Sequence, residues 1–164
     1  MIGLTSNNIE LIIEHLIENR VGGEPIDQFS LCIKPRLLSA LKTPFQRPDC
    51  KDEIETFIDR AARVYYSLII NHPLPSNGNK RLATQALLVL AYLNDFHIKT
   101  TEAQLYAFPF IVVYLSKYVR DKDLIFKEIE EFIRESLVER PNKILEKQKR
   151  ILEAEFNDFL MTNE

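Results

Sequence analysis

Apolar side chains recur every three or four residues along most of this chain, which is the spacing of amphipathic helices. The pattern is most regular between Asp49 and Pro73. There the apolar positions are Ile54, Phe57, Ile58, Ala61, Tyr65, Leu68 and Ile69. Glycine, which weakens helices, occurs only four times in the whole chain. Together these features predict an all-α fold built as a bundle of helices.

Capping and helix-breaking residues predict where the first helices begin and end. Ser6 or Asn7 caps the first helix, Pro35 starts a short second helix, and Asp49 caps the third, which Pro73 ends. The apolar face of the first helix carries Ile9, Ile12, Ile13, Leu16 and Ile17. This spacing indicates one buried stripe on an otherwise solvated helix.

The segment from Lys80 to Leu93 is apolar almost all round, with Leu82, Ala86, Leu87, Val89, Leu90 and Leu93 leaving little room for a solvated face. Such a helix belongs in the middle of a bundle. Beyond it, Thr101 and Gln104 resemble a capping box for a helix that runs toward Tyr118 with a kink at Pro109.

Two further amphipathic helices are predicted after Tyr118. The first carries Ile125, Ile129, Phe132, Ile133 and Leu137. The second follows Pro141 and carries Ile144, Ile151, Leu152, Phe156 and Phe159. We therefore expect one domain over residues 1–164, with C-terminal helices over 101–160.

Composition and charge limit the classes of partner. The 164 residues carry a net charge of −3, which does not favour nucleic acid or an anionic membrane as partner. Cys32 and Cys50 lack metal-ligand spacing, and with no secretory signal visible they fit a reducing cytoplasm. The longest apolar run, near residues 86–93, is too short to span a bilayer. Any phosphate binding must come from a local cluster of positive charge.

Such a cluster occurs where the central helix begins, in the run His72-Pro-Leu-Pro-Ser-Asn-Gly-Asn-Lys-Arg81. Unpaired N–H groups and the aligned peptide dipoles make a helix start attractive to anions. Lys80 and Arg81 are unfavourable at that end of an isolated helix, by about 0.3–1 kcal/mol each, unless an anion normally binds there. With a glycine turn before them, they predict a phosphate site.

His72 has two readings from the residues alone. An imidazole titrates near neutral pH and could accept a hydroxyl proton during group transfer. A single histidine after a helix and before proline also commonly pairs with the helix end or stabilises a turn. Pro73 and Pro75 are consistent with either reading, because they stiffen the connection.

The same run resembles the loop of the Fic/Doc (death-on-curing) family, H-P-F-x-[D/E]-G-N-[G/K]-R, which lies between two helices of an all-α core. The ending Gly-Asn-Lys-Arg is similar to the Doc branch, as is Thr84 in place of the arginine that Fic enzymes tend to carry three positions after the motif. The similarity covers roughly residues 31–98, including the segment from Lys34 to Leu41.

The resemblance implies a transferase that moves part of a nucleoside triphosphate, such as ATP, onto a protein hydroxyl. It implies His72 as the base, Gly78 and Asn79 as the anion-binding turn, and Lys80 and Arg81 as phosphate ligands. A Doc-like toxin would phosphorylate a target protein, a translation factor by resemblance, and would be held inactive by a separate antitoxin. AMP transfer and a non-catalytic module that binds a nucleotide or a partner are the alternatives.

Two features depart from the family pattern. The loop has one residue more between His72 and Gly78, and a displacement of about 1 Å can cost roughly 100-fold in rate. Asn77 stands where the family has an acidic metal ligand, and no Asp or Glu occurs from His72 to Asn94. An amide can coordinate Mg²⁺ but supplies no charge, so magnesium binding would be weaker, would use a carboxylate from another segment, or would be lost.

Overall fold

The computed structural model describes residues 1–21, 23–50, 52–139, 150–151 and 154–158. The helices are α1 (Ser6–Glu18), α2 (Lys34–Lys42), α3 (Glu53–Ile70), α4 (Asn79–Leu93), α5 (Glu102–Tyr118) and α6 (Lys122–Ser136), with short 3-10 turns at Phe29–Leu31 and Thr43–Gln46. The predicted all-α class is confirmed. One small sheet was not predicted: β1 (Phe96–Ile98) pairs antiparallel with β2 (Leu137–Glu139).

Two helix caps differ from the sequence prediction. Thr5 caps α1 rather than Ser6 or Asn7, because its hydroxyl accepts the N–H of Asn8 at 3.2 Å while the Asn8 side chain accepts the N–H of Thr5. This reciprocal pairing satisfies two helix-end donors. Four of the five apolar positions predicted for α1 are buried in the structure, whereas the fifth, Ile17, is exposed.

Helix α3 begins three residues later than predicted. Asp52, not Asp49, is its cap, and its carboxylate accepts the N–H groups of Ile54 and Glu55. Asp49 instead pairs with the buried guanidinium of Arg60. The predicted core positions of α3 are buried apart from Ile54, whose place in the first turn leaves it at the surface.

The predicted central helix is confirmed as α4. It packs against α1, α3 and α5, and it also contacts β1. Its buried apolar residues are Leu82, Ala83, Ala86, Leu87, Leu90, Ala91 and Leu93. Because most of its circumference is covered by neighbours, the position of its first turn is tightly fixed, and that turn carries the candidate site.

The second half of the chain packs around α3 and α4. Thr101 and Gln104 form the predicted capping box of α5, which continues as one helix through Pro109. Phe108 stacks on Phe132 of α6, with ring centroids 3.9 Å apart. Residues 150–151 and 154–158 are helical, while the predicted positions Ile144, Leu152 and Phe159 lie outside the described residues. Among the described helices, none combines the length and the apolarity needed to cross a membrane.

Candidate functional site

The loop from α3 to α4 is held in shape by the side chain of Asn79. Its Oδ1 accepts the N–H of Leu74 at 2.9 Å, and its Nδ2 donates to the carbonyl of the same residue at 2.7 Å. The amide is buried, so these two hydrogen bonds are not exposed to competing water. The Asn79 side chain therefore closes the loop on itself, and Asn79 offers an anion its backbone N–H.

Gly78 makes the turn into α4 with φ of +112°. A Cβ at this position would lie 2.9 Å from Cβ of Ile26 and 3.0 Å from Cδ1 of Leu74, so both conformation and space require glycine. Within the described residues no side chain caps α4. The first turn thus keeps the positive end of the helix dipole at the site.

A cavity of about 460 Å³ opens beside this helix start. It is lined by Glu24, Asn77, Gly78, Lys80, Arg81, Thr84, Tyr106, Pro109 and Phe110. The ammonium of Lys80 lies 4.8 Å from the centre of the Phe110 ring, a cation–π contact. The hydroxyl of Tyr106 accepts a hydrogen bond from Gln85 at 3.0 Å. The cavity therefore combines a cationic end with an aromatic wall.

Arg81 is held by the segment that follows α1. Its guanidinium donates to the carbonyl oxygens of Val21 (2.9 Å), Glu24 and Pro25 (3.2 Å). These acceptors are neutral, so the positive charge of Arg81 is hydrogen-bonded but not neutralised by them. Arg81 still lines the cavity and contributes positive potential there.

The same segment covers the loop itself through Asp27. One oxygen of its carboxylate, Oδ2, accepts the backbone N–H of Ser76 at 2.6 Å and of Asn77 at 3.1 Å. The N–H of Asp27 donates in return to the carbonyl of Asn77 at 3.3 Å. The sequence analysis missed Asp27, because it lies 49 residues before Ser76 and nothing in the local pattern links the two.

Asp27 also affects Cys32. Burial, together with the negative charge of Asp27, raises the pKa of the Cys32 thiol to about 11. At neutral pH this cysteine is a thiol and not a thiolate, so it is a poor nucleophile. The raised pKa therefore does not favour Cys32 as a nucleophile.

His72 lies at the other side of the loop. It is exposed, has φ of +47°, and lines a separate opening of about 520 Å³ with Pro35, Arg36, Ser39, Ile70 and Asn71. It is not among the described residues that line the cavity at α4. The structure thus brings Gly78, Lys80 and Arg81 to one cavity and leaves His72 at the edge of another.

The tautomer of His72 follows from its contact with Asn79. The bonds to Leu74 orient the Asn79 amide so that Nδ2 faces Nδ1 of His72 at 3.3 Å. An amide nitrogen can only donate, so Nδ1 accepts and the neutral ring carries its proton on Nε2. To accept a proton from a substrate hydroxyl through Nδ1, the imidazole must first release Asn79.

Asn77 faces the segment before α2 rather than a metal-binding group. Its Nδ2 donates to the carbonyl of Pro25 at 2.9 Å and lies 3.5 Å from Oε2 of Glu24. Across the described part of the chain, no three His, Cys, Asp or Glu side chains converge in a way that could hold a metal ion. Among the described residues that line the cavity, Glu24 is the one carboxylate, and Mg²⁺ usually binds through one or two carboxylates together with substrate phosphates, so magnesium binding with a nucleotide stays a prediction.

No family model, no curated protein and no solved structure matches the chain. The function must therefore be argued from the geometry of the α4 cavity and from the loop motif.

Proposed function

We propose that this chain binds a nucleoside triphosphate such as ATP at the start of α4 and transfers its γ-phosphate to a hydroxyl of a target protein. The observation that supports this proposal is the cavity beside α4, where Lys80 and Arg81 meet the positive end of the helix. A polyphosphate would offset the repulsion between the two cations. It would also offset the repulsion of each cation by the positive end of the helix dipole.

The chemistry divides among the loop residues. Phosphoryl transfer requires that charge on the phosphate oxygens be offset, that the attacking hydroxyl lie in line, and that its proton have an acceptor. Backbone N–H groups at Gly78 and Asn79, with Lys80 and Arg81, would bind the phosphates. His72 would accept the proton once its ring leaves the Asn79 amide.

The biological setting rests on the loop's resemblance to the Doc branch of the Fic/Doc family. A toxin of this kind acts in the cytoplasm on a target protein, a translation factor by resemblance, and is restrained by a separate antitoxin protein. AMP transfer uses the same cavity with a different leaving group. Lys80, which stands where Fic enzymes carry a second glycine, favours phosphate transfer over AMP transfer.

A second candidate function is favoured by the position of His72. Because this residue lines a different opening from Lys80 and Arg81, the cavity at α4 can bind a nucleotide without a base beside the phosphates. The protein would then be a binding module of Fic/Doc type that does not transfer a group. Nucleotide binding is common to both candidates, and transfer separates them.

The test uses ATP labelled at the α or the γ phosphate, incubated with the purified protein and a bacterial lysate. Label transferred to a lysate protein from the γ position alone indicates phosphorylation, and label from the α position indicates AMP transfer. His72→Ala is expected to abolish transfer and to leave ATP affinity within about twofold, because His72 does not line the α4 cavity.

Lys80→Ala tests the phosphate site itself. We expect ATP binding to weaken by about 10-fold, the usual range for losing one charge-assisted contact. Lys117→Ala is the matched control, since it removes the same charge from an exposed position on α5 outside the cavity. Equal affinities for the wild type, Lys80→Ala and Lys117→Ala would contradict the proposed site, and binding without transfer from either label would favour the binding module.

A further inference from the structure

Helix α5 carries a row of exposed apolar side chains on the side that faces away from the core. Six exposed, uncharged residues make up this row, which we call the α5 stripe: Ala103, Ala107, Phe110, Ile111, Tyr114 and Tyr118. The four large members are between 49% and 70% exposed. Successive residues of a helix turn by about 100°, so the six side chains share about a third of its circumference.

The other side of α5 is apolar as well, because Phe108, Pro109 and Val112 are buried against the core. A helix that is apolar on both sides is normally covered on both sides. The α5 stripe runs for about 22 Å along the helix, and a contiguous exposed patch of this kind marks an interaction surface. The rings of Tyr114 and Tyr118 already pack together, with centroids 4.7 Å apart, so little side-chain freedom remains to be lost on association.

The charges of α5 fit a second copy of the same helix in the opposite direction. Glu102 in the first turn and Lys117 in the last are its only charged residues. By helical periodicity, both lie along the same edge of the α5 stripe. A two-fold axis perpendicular to the helix brings these edges together in opposite directions, so Glu102 of each copy would lie near Lys117 of the other. A parallel pair would instead place like charges side by side.

Side-chain size gives a second, independent reason for the antiparallel arrangement. With the two-fold axis at the middle of the α5 stripe, Ala103 would lie opposite Tyr118 of the second copy. One turn inward, Ala107 would lie opposite Tyr114 of the second copy. Each large ring would therefore meet a small side chain, which is how packed helices fill space without voids. A parallel pair would oppose tyrosine to tyrosine at one end and alanine to alanine at the other.

We propose that the α5 stripe is the interface of a homodimer, in which α5 of one copy packs antiparallel against α5 of a second copy about a two-fold axis. Glu102 and Lys117 each also suit the dipole of their own helix, so the charges by themselves fit a lone helix too. The pairing of small with large residues is what a lone helix does not require. The dimer forms whether or not the α4 cavity holds a ligand, so this inference does not depend on nucleotide binding.

The first experiment measures dimerisation of the full chain by sedimentation. A single pair of helices is at the small end of specific interfaces, so we expect a dissociation constant of about 1–100 µM for the wild type. Ile111→Glu places one carboxylate from each copy beside the two-fold axis, among apolar side chains, and should weaken the dimer by at least about 100-fold. Tyr114→Lys repeats the test with the opposite charge.

Leu31→Glu is the matched control. Leu31 is 55% exposed, close to the 49% of Ile111, but it lies in the turn before α2, and its replacement adds the same charge. We expect this variant to dimerise like the wild type. Urea unfolding of the same samples shows which variants are folded.

A charge exchange tests the direction of the helices. Glu102→Lys and Lys117→Glu should each weaken the dimer by about 3–10-fold, because either change places like charges together at both ends of the interface. The double variant restores opposite charges across the interface and should return to within about twofold of the wild type. A fold effect alone does not predict this rescue, since both changes oppose the helix dipole.

A wild type that stays monomeric up to about 200 µM would overturn the proposed homodimer and would leave the α5 stripe to a different partner. A dimer that persists in the folded Ile111→Glu and Tyr114→Lys variants would also overturn it, because the interface would then lie elsewhere. Equal weakening by Leu31→Glu and Ile111→Glu would attribute the effect to net charge and contradict the proposal. A double charge variant weaker than both single variants would overturn the antiparallel arrangement.

Discussion

The Asn79 side-chain amide has a larger structural role in the loop than its place in the motif indicates. It binds both backbone groups of Leu74 and approaches His72 Nδ1, so one buried side chain fixes the loop shape and the tautomer of the imidazole. A buried polar group that makes all its hydrogen bonds holds the surrounding backbone in one conformation. Breaking one of these hydrogen bonds would leave a polar group unpaired and shielded from water, which is costly. The loop is therefore a rigid turn whose anion-binding capacity lies in its backbone.

The variant Gly78→Ala tests whether the turn into α4 depends on glycine. We expect a loss of about 2–4 kcal/mol in the free energy of unfolding, from a strained positive φ and from contacts of a Cβ with Ile26 and Leu74. Urea unfolding measures this loss. Gly23→Ala is the matched control: its φ is +77°, but apart from its chain neighbours no described residue lies within 4 Å of the added carbon, so we expect only about 1 kcal/mol. Equal losses would mean that Ile26 does not press on the turn.

Between elements, charged side chains join α3 and α6. Arg134 of α6 binds Glu55 of α3 at 2.7 Å, and the guanidinium of Arg63 lies 4.5 Å from the centre of the Phe126 ring. Burial and, to a smaller extent, the charge of Asp59 raise the pKa of Glu130, against the opposing effect of nearby arginines. Glu130 is thus better accommodated in this interface as the neutral acid.

This raised pKa gives a pH dependence with a definite sign. A carboxyl that holds its proton more tightly in the folded state contributes stability below its ordinary pKa, and the contribution is lost as pH rises through the folded value. Glu130→Gln should therefore unfold at higher urea concentration than the wild type at about pH 7.5 and show little difference at about pH 4. Glu128→Gln, an exposed position on the same helix, is the control. A larger gain at the acidic pH would contradict the raised pKa of Glu130.

The whole molecule is joined by one apolar core whose members extend from Ile2 to Phe156. The ring of Phe156 packs edge-on against Phe45 at 4.9 Å and fills the space over Gly3, where an added Cβ would lie 2.1 Å from the ring. The helical residues 154–158 therefore cover the start of the chain. This contact joins residues that are more than 150 positions apart.

Truncation of this ring should show how much the contact contributes to global stability. We expect Phe156→Ala to lower the free energy of unfolding by about 3–5 kcal/mol, as for other buried aromatic residues. Thermal or urea unfolding gives the value. Ile151→Ala, at an exposed helical position, should change it by no more than about 0.5 kcal/mol. If the two variants were equally stable, the Phe156 ring would not contribute to the core as its burial indicates.

The sequence by itself determined the helices and their buried faces. Helical periodicity is a local property, so the stripes of α1 and α3, the apolar α4 and the Thr101–Gln104 capping box could be read without a fold. The helix ends could not be assigned to a single residue from the sequence. Ser6, Asn7 and Asp49 are residue types that cap helices as well as Thr5 and Asp52, the caps in the structure, do. The loop motif in the sequence likewise predicted Gly78, Lys80 and Arg81 at the start of a helix, where the structure has them.

Only the tertiary structure decided what surrounds that helix start. It paired β1 with β2 across about 40 residues of chain, placed His72 in a different opening from Lys80, and laid Asp27 on the loop N–H groups. None of these contacts has a periodic or spacing signal, because each joins segments whose separation in sequence is arbitrary. Packing of the helices brings such groups together, and their hydrogen bonds then determine which donors remain for a ligand.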